Sequence, residues 1–192
     1  MTINTEKLRS KGIDVVCFEI STVEVSLTIA QALSRNKFSS DDAQPFSLTI
    51  TGHDDREKKV VVLGRVDAVL HKNTGILRLG ENLKSSNSVV FIYTLFVETD
   101  FSGCGIATYV LEQLHTWVKQ KLGYEVDALL LSPVPQFKNE EGIIVQVPMG
   151  VEYFILLMKL ISFYTERGFN SCDDLLIMAK QINSEGVKKP GF

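Results

Sequence analysis

The spacing of apolar residues changes several times along the chain, and each change marks an element. Ile13 to Ile20 (IDVVCFEI) is short and rich in β-formers, which predicts a strand. Ser21 or Thr22 can cap the next segment, and Glu24 stands where a capping box places it. Val25, Ile29 and Leu33 then recur at helical spacing, so a helix is predicted over about Thr22 to Arg35. Phe46 to Thr51 and Lys59 to Leu70 are two further strands. The charged run His53 to Lys58 between them reads as a solvated hairpin loop. Asn73-Thr74-Gly75 is a turn, Ile76 to Leu79 a short apolar run, and Ser85 to Ser88 a loop. Val89 to Val97 (VVFIYTLFV) is apolar at odd and even positions alike, as in a strand covered on both faces.

Gly103 to Gly105 breaks that pattern. Ile106, Val110, Leu114 and Trp117 then recur at helical spacing, Lys119 and Lys121 sit where cations suit the end of a helix, and Gly123 is a natural stop. Val126 to Leu131 is a buried strand. Ser132 to Gly150 holds Pro133, Pro135 and Pro148 and takes no single assignment. Val151 to Arg167 is a helix that is apolar nearly all round, ended by Gly168, and Leu175 to Ala179 is a last strand. Hairpins in the first half and strand–helix–strand units in the second predict a mixed, mostly antiparallel α/β sheet with flanking helices.

Composition narrows the setting. The chain has 192 residues, with 20 Lys+Arg against 23 Asp+Glu, a net charge of −3. Nothing in that balance draws it onto nucleic acid or an anionic membrane, and neither is expected as a partner. Cys17, Cys104 and Cys172 are odd in number and widely spaced, which argues against disulfides and against a CxxC metal site. No metal is expected. The polar start, Met1 to Gly12, lacks the apolar run of a signal peptide, and no run is long enough to span a bilayer, so a cytoplasmic location is expected. One domain over residues 1–182 with a polar tail over 183–192 is the expected organisation.

The chemistry concentrates after the central strand, in Ser102-Gly103-Cys104-Gly105-Ile106-Ala107. A strand, a glycine-bearing loop and a helix start together offer free N–H groups and the positive end of a helix dipole, which is an anion site. Glycine lets a phosphate approach the backbone closely. The loop lacks the Gly-Lys-Ser/Thr of a Walker A motif. It also lacks the last glycine of GxGxxG, where Thr108 stands. It does resemble motif A of the GNAT acyltransferases, Arg-Gly-x-Gly-Ile-Gly, except at Ser102 and Ala107. Leu160 to Phe169, with Tyr164 ahead of Gly168-Phe169, resembles the helix-end signature of the same family.

The resemblance implies a parallel strand pair, Val89–Val97 and Val126–Leu131, splaying apart to admit acetyl-CoA or another acyl-CoA. Pantetheine would lie along Phe96 and Val97, and the pyrophosphate on Gly103 to Ala107, with Ser102 in place of the usual Arg or Gln. An amine acceptor would attack the thioester. Tyr164 would serve as general acid, and Glu98 is the nearest candidate base; His115 reads as an ordinary helix residue. Cys104, at the helix start, is expected to react with iodoacetamide and to be shielded by CoA, with Cys17 unaffected. Two other readings stand beside this one: a catalytically degenerate GNAT-fold protein that binds acyl-CoA or a protein, and an unrelated α/β nucleotide binder. The apolar helix Val151 to Arg167 suits either a homodimer contact or burial between sheet and insertion.

Overall fold

The computed structural model describes residues 3–22, 43–54, 57–72, 88–172 and 177–182. The helix expected after Thr22, the turn at 73–75, the run at 76–79 and the tail lie outside the described residues. Thr22 itself closes a strand and Ser88 opens one.

Within the polar stretch Met1 to Gly12, to which the pattern assigns no element, lies a short helix, α1 (Thr5–Arg9). Its five residues are too few to show a period, so a polar sequence with one apolar anchor hides it. The Asn4 side chain caps it by accepting from the Lys7 N–H at 2.9 Å, and Leu8 is buried in the main core.

Seven strands form one sheet: β1 (Val15–Thr22), β2 (Ala43–Asp54), β3 (Lys59–Lys72), β4 (Ser88–Val97), β5 (Ala128–Leu131), β8 (Asn170–Cys172) and β9 (Ile177–Gln181). Their order is β1-β2-β3-β4-β5-β9-β8. Every pairing is antiparallel except β4 with β5. The first strand of the β2–β3 hairpin runs further than expected, through His53 and Asp54, while the second starts at Lys59 as the pattern places it. The insertion carries a separate hairpin of β6 (Gln136–Lys138) and β7 (Ile144–Gln146).

The long helix α2 (Ile106–Leu122) lays Ile106, Val110, Leu111, Leu114 and Val118 on one sheet face, against Leu48, Ile50, Val66, Val90 and Leu129. Gly123 ends it in the left-handed conformation. The last helix, α3 (Val151–Thr165), buries Tyr153, Leu157 and Tyr164 but exposes Val151, Phe154, Ile155 and Met158. It closes with the Phe169 N–H on the Tyr164 carbonyl and the Gly168 N–H on that of Thr165, Gly168 being left-handed and Phe169 buried.

What positions the site is the short parallel pair. β4 and β5 run together only from Val89↔Ala128 to Ile92↔Leu131. On β4, Ile92 faces Ala68 and Thr94 faces Asp67, which leaves Tyr93 as an extra residue. Such a bulge bends its strand. β5 stops at Leu131 because Ser132-Pro133-Val134-Pro135 comes next, and proline has no N–H for a ladder. Two causes therefore act at one level, a bulge on one strand and prolines on the other, and the strands part.

Candidate active site

The parting opens a cleft of about 730 Å³. Beyond Ile92, β4 keeps β3 as a partner, with Val66↔Leu95, Arg65↔Phe96 and Gly64↔Val97, while β5 is gone from its other edge. Leu95, Phe96 and Val97 form one wall, Leu131 and Ser132 the other, and Tyr164 lies on the lining from α3. An unpaired strand edge presents backbone N–H and C=O groups that an extended amide chain can use.

At the end of β4 the chain turns through a single 3-10 turn, Thr99–Phe101, whose Phe101 is buried. Gly103 and Gly105 both hold positive φ, +70° and +80°. Gly105 is the residue before α2, and no side chain caps that helix. The first-turn N–H groups of Ile106, Ala107 and Thr108 have no intrahelical acceptor, as at every helix start. The first turn also holds no acidic residue. The loop from Gly103 to Ala107 thus has the form expected of an anion cradle, and Ser102 at its entry lines the cleft.

Phe96, Val97, Ser102 and Tyr164, all expected at the site, line the cleft together. Tyr164 is 7% exposed and packs edge-on against Phe163 and Phe169. Burial pushes its phenol up to about 12, against a smaller opposing pull from the Arg167 guanidinium. Glu98 and the loop residues Gly103 to Ala107 are not on the lining; Glu98 accepts at Oε1 from Nζ of Lys138, which is on it, at 2.6 Å. Its partner comes from β6, a contact that nothing local in the sequence announces. His115 is outside the cleft lining. Burial is the main cause lowering its pKa, with Lys180 adding to it and Glu125 opposing.

Cys104 corrects an expectation. It precedes the helix rather than opening it, and its side chain is fully buried in the main core. A thiol there is closed to alkylating reagents whatever the helix dipole does to it. Cys17 is the exposed one, and Cys172 is buried.

Sequence reasoning missed several cleft residues. Lys138 and Phe137 come from the insertion hairpin, and Lys159, Leu160 and Phe163 come from α3. Only the last three had a signal, since they lie on the same helix as Tyr164. Among the described residues no three His, Cys, Asp or Glu side chains are grouped to hold a metal ion. No described helix is long and apolar enough to cross a membrane.

The mixed sheet, its single parallel pair and the opening of that pair toward Ser102 are the arrangement that the sequence resemblance implies. The chain has a GNAT-like fold. No protein-family model matches the chain, and no curated protein matches it. Among solved structures it is similar to a bacterial toxin, with 14% identity over 88% of this chain and 91% of that one and a TM-score of 0.49. It is also similar to Arabidopsis thaliana NAA60 in complex with a bisubstrate analogue, with 15% identity over 88% and 100% of the two chains and a TM-score of 0.44. A third similar structure is AtaTR bound with AcCoA, with 14% identity over 88% and 94% and a TM-score of 0.44.

Proposed function

We propose that the chain is an N-acyltransferase that moves an acetyl or other acyl group from CoA to a primary amine. The observation that carries this reading is the open edge of β4, which leads along one cleft from the side of Tyr164 to Ser102, at the entry of the glycine loop ahead of α2. Extended pantetheine amides suit the strand edge, and a pyrophosphate suits the uncapped helix start.

In the proposed reaction the amine lone pair attacks the thioester carbonyl carbon. The C–S bond breaks, sulfur leaves with the electron pair, and the nitrogen loses one proton. Glu98 could take that proton only after leaving Lys138, so the proton passes to water or to Glu98 freed from its ion pair. A free thiol ionises near pH 8.5. A phenol held at about 12 therefore gives its proton up reluctantly to sulfur. Tyr164 accordingly acts by donating a hydrogen bond to the sulfur as charge develops there, with water supplying the final proton.

The degenerate reading, acyl-CoA binding without transfer, is favoured by the Glu98–Lys138 pair, which engages the nearest carboxylate. Acetyl-CoA with a panel of amines separates the two readings. Amine-dependent release of CoA thiol is expected for a transferase. Binding of acetyl-CoA with no amine-dependent thiol would leave a binding protein.

A further inference from the structure

Two cations converge on the positive end of α2. From α1, Lys7 Nζ donates to the carbonyls of Ser102 and Gly103 at 3.5 and 3.4 Å, and the Asn4 N–H donates to the Cys104 carbonyl at 3.0 Å. From the turn after α3, Arg167 Nε donates to Thr108 Oγ1, in the first turn of α2, at 2.8 Å. The Arg167 guanidinium also stacks 3.6 Å from the centre of the Phe163 ring and is largely buried, with 18% of its side chain exposed. Its acidic neighbour, Glu166 at 3.5 Å, is mostly in water.

Cations are favoured at helix C-termini and opposed at N-termini. α2 has 17 residues, no acid in its first turn and no side-chain cap; Lys7 is met by the carbonyls of Ser102 and Gly103, and Arg167 by Glu166 and by the Phe163 carbonyl, to which its Nη1 donates. An anion at the uncapped helix start would add the counter-charge that the first turn lacks. The contacts from α1 also set direction. In a trans peptide the C=O and the following N–H point opposite ways. Holding the carbonyls of Ser102 and Cys104 from the α1 side therefore turns the N–H groups of Gly103 and Gly105 away from α1.

We propose that Lys7 and Arg167 clamp the loop, Lys7 through the carbonyls of Ser102 and Gly103 and Arg167 through Thr108, and that this aims its free N–H groups at a diphosphate. Lys7 is the positioning residue of the pair, acting through the peptide planes of Ser102 and Gly103, and Arg167 fixes the first turn of α2 through Thr108. This deepens the acyl-CoA reading and rests on it for the identity of the ligand.

Calorimetry on the full chain tests it with three probes: CoA, inorganic pyrophosphate and pantetheine, the last lacking the diphosphate. Lys7 is exposed, so Lys7→Met, Lys7→Arg and Lys7→Glu leave the core intact, and a thermal melt checks this. Arg167 is the riskier site, and the Lys7 series carries the test. Lys7→Met is expected to weaken CoA and pyrophosphate by roughly three- to fivefold, the size of one exposed charge at a helix end. Lys7→Glu should weaken them further, Lys7→Arg should restore them, and pantetheine should bind all four proteins alike. Unchanged CoA affinity in Lys7→Met overturns the clamp, and so does an equal loss for pantetheine. If wild type binds pyrophosphate in a Lys7-dependent way but not CoA, the clamp stands and the acyl-CoA reading falls. If wild type binds neither, both fall.

Discussion

Gly105 holds φ at +80°, a conformation that costs an L-residue roughly 1–2 kcal/mol. Gly105→Ala should therefore lower stability by about that much and place a methyl group where the diphosphate would approach. A chemical-denaturation curve reads the first effect and CoA calorimetry the second; wild-type CoA affinity would remove the loop from the binding site. At Tyr164 the proposal concerns chemistry. Tyr164→Phe keeps the ring packing and removes the hydrogen bond, so kcat should fall roughly 10²-fold with little change in KM for acyl-CoA. An unchanged kcat would make it a packing residue. The same residue sets an alkaline limit. Its pKa is raised from 10.0 to about 12 in the fold, so its contribution is complete below pH 10 and is lost as pH rises from 10 to 12. Wild type should lose stability over that window relative to Tyr164→Phe, as alkaline melts would report. Cys17 should be the thiol that iodoacetamide modifies in the folded protein, whereas Cys104 and Cys172 should react only on unfolding. Peptide mass spectrometry separates the three.

At the scale of elements, the N-terminal helix does more than the sequence announces. Leu8 is 1% exposed and anchors α1 in the main core. Leu8→Ala should cost about 2–5 kcal/mol. It should also weaken CoA binding, because α1 holds three carbonyls of the loop. A stability loss with unchanged CoA affinity would confine α1 to packing. Elements with a strong local period were legible from sequence: β1 to β5, α2 and α3 all fall where the pattern places them. Gly123 and Gly168 mark the two helix ends correctly because a left-handed residue there is a local requirement. What could not be read has no local cause. α1 is one turn long, β6 and β7 span three residues each, and the Glu98–Lys138 pair joins residues 40 positions apart. The burial of Cys104 is of the same kind. Its neighbours in sequence predict a loop, and its neighbours in space are core.

Across the whole molecule, the sheet explains both the site and a weakness toward acid. His71 is 2% exposed on β3, and burial lowers its pKa from 6.5 to about 4. Its contribution is complete above pH 6.5 and is lost as pH falls toward 4, because the unfolded chain takes up the proton first. The loss amounts to about 3 kcal/mol at most. Wild type should lose more stability than His71→Gln between pH 6.5 and 4, and parallel curves would show that His71 does not titrate on unfolding. The site depends on where the sheet comes apart. Four residue pairs hold β4 to β5, and the bulge at Tyr93 and the prolines after Ser132 end that contact at one level. The glycine turn within 102–107 was legible because its spacing is local, as was the place of Tyr164 at the end of its helix, on the cleft lining. Which cations flank the loop was not, since Lys7 and Arg167 reach it from opposite ends of the chain. The most direct test of the central claim is thiol release from acetyl-CoA, monitored continuously with and without a panel of primary amines, for wild type and Tyr164→Phe in parallel. On the acyl-transfer reading, release requires an amine, saturates with acetyl-CoA and drops roughly 10²-fold in the variant. Release independent of amine, or no release from a protein shown to bind acetyl-CoA, would contradict it.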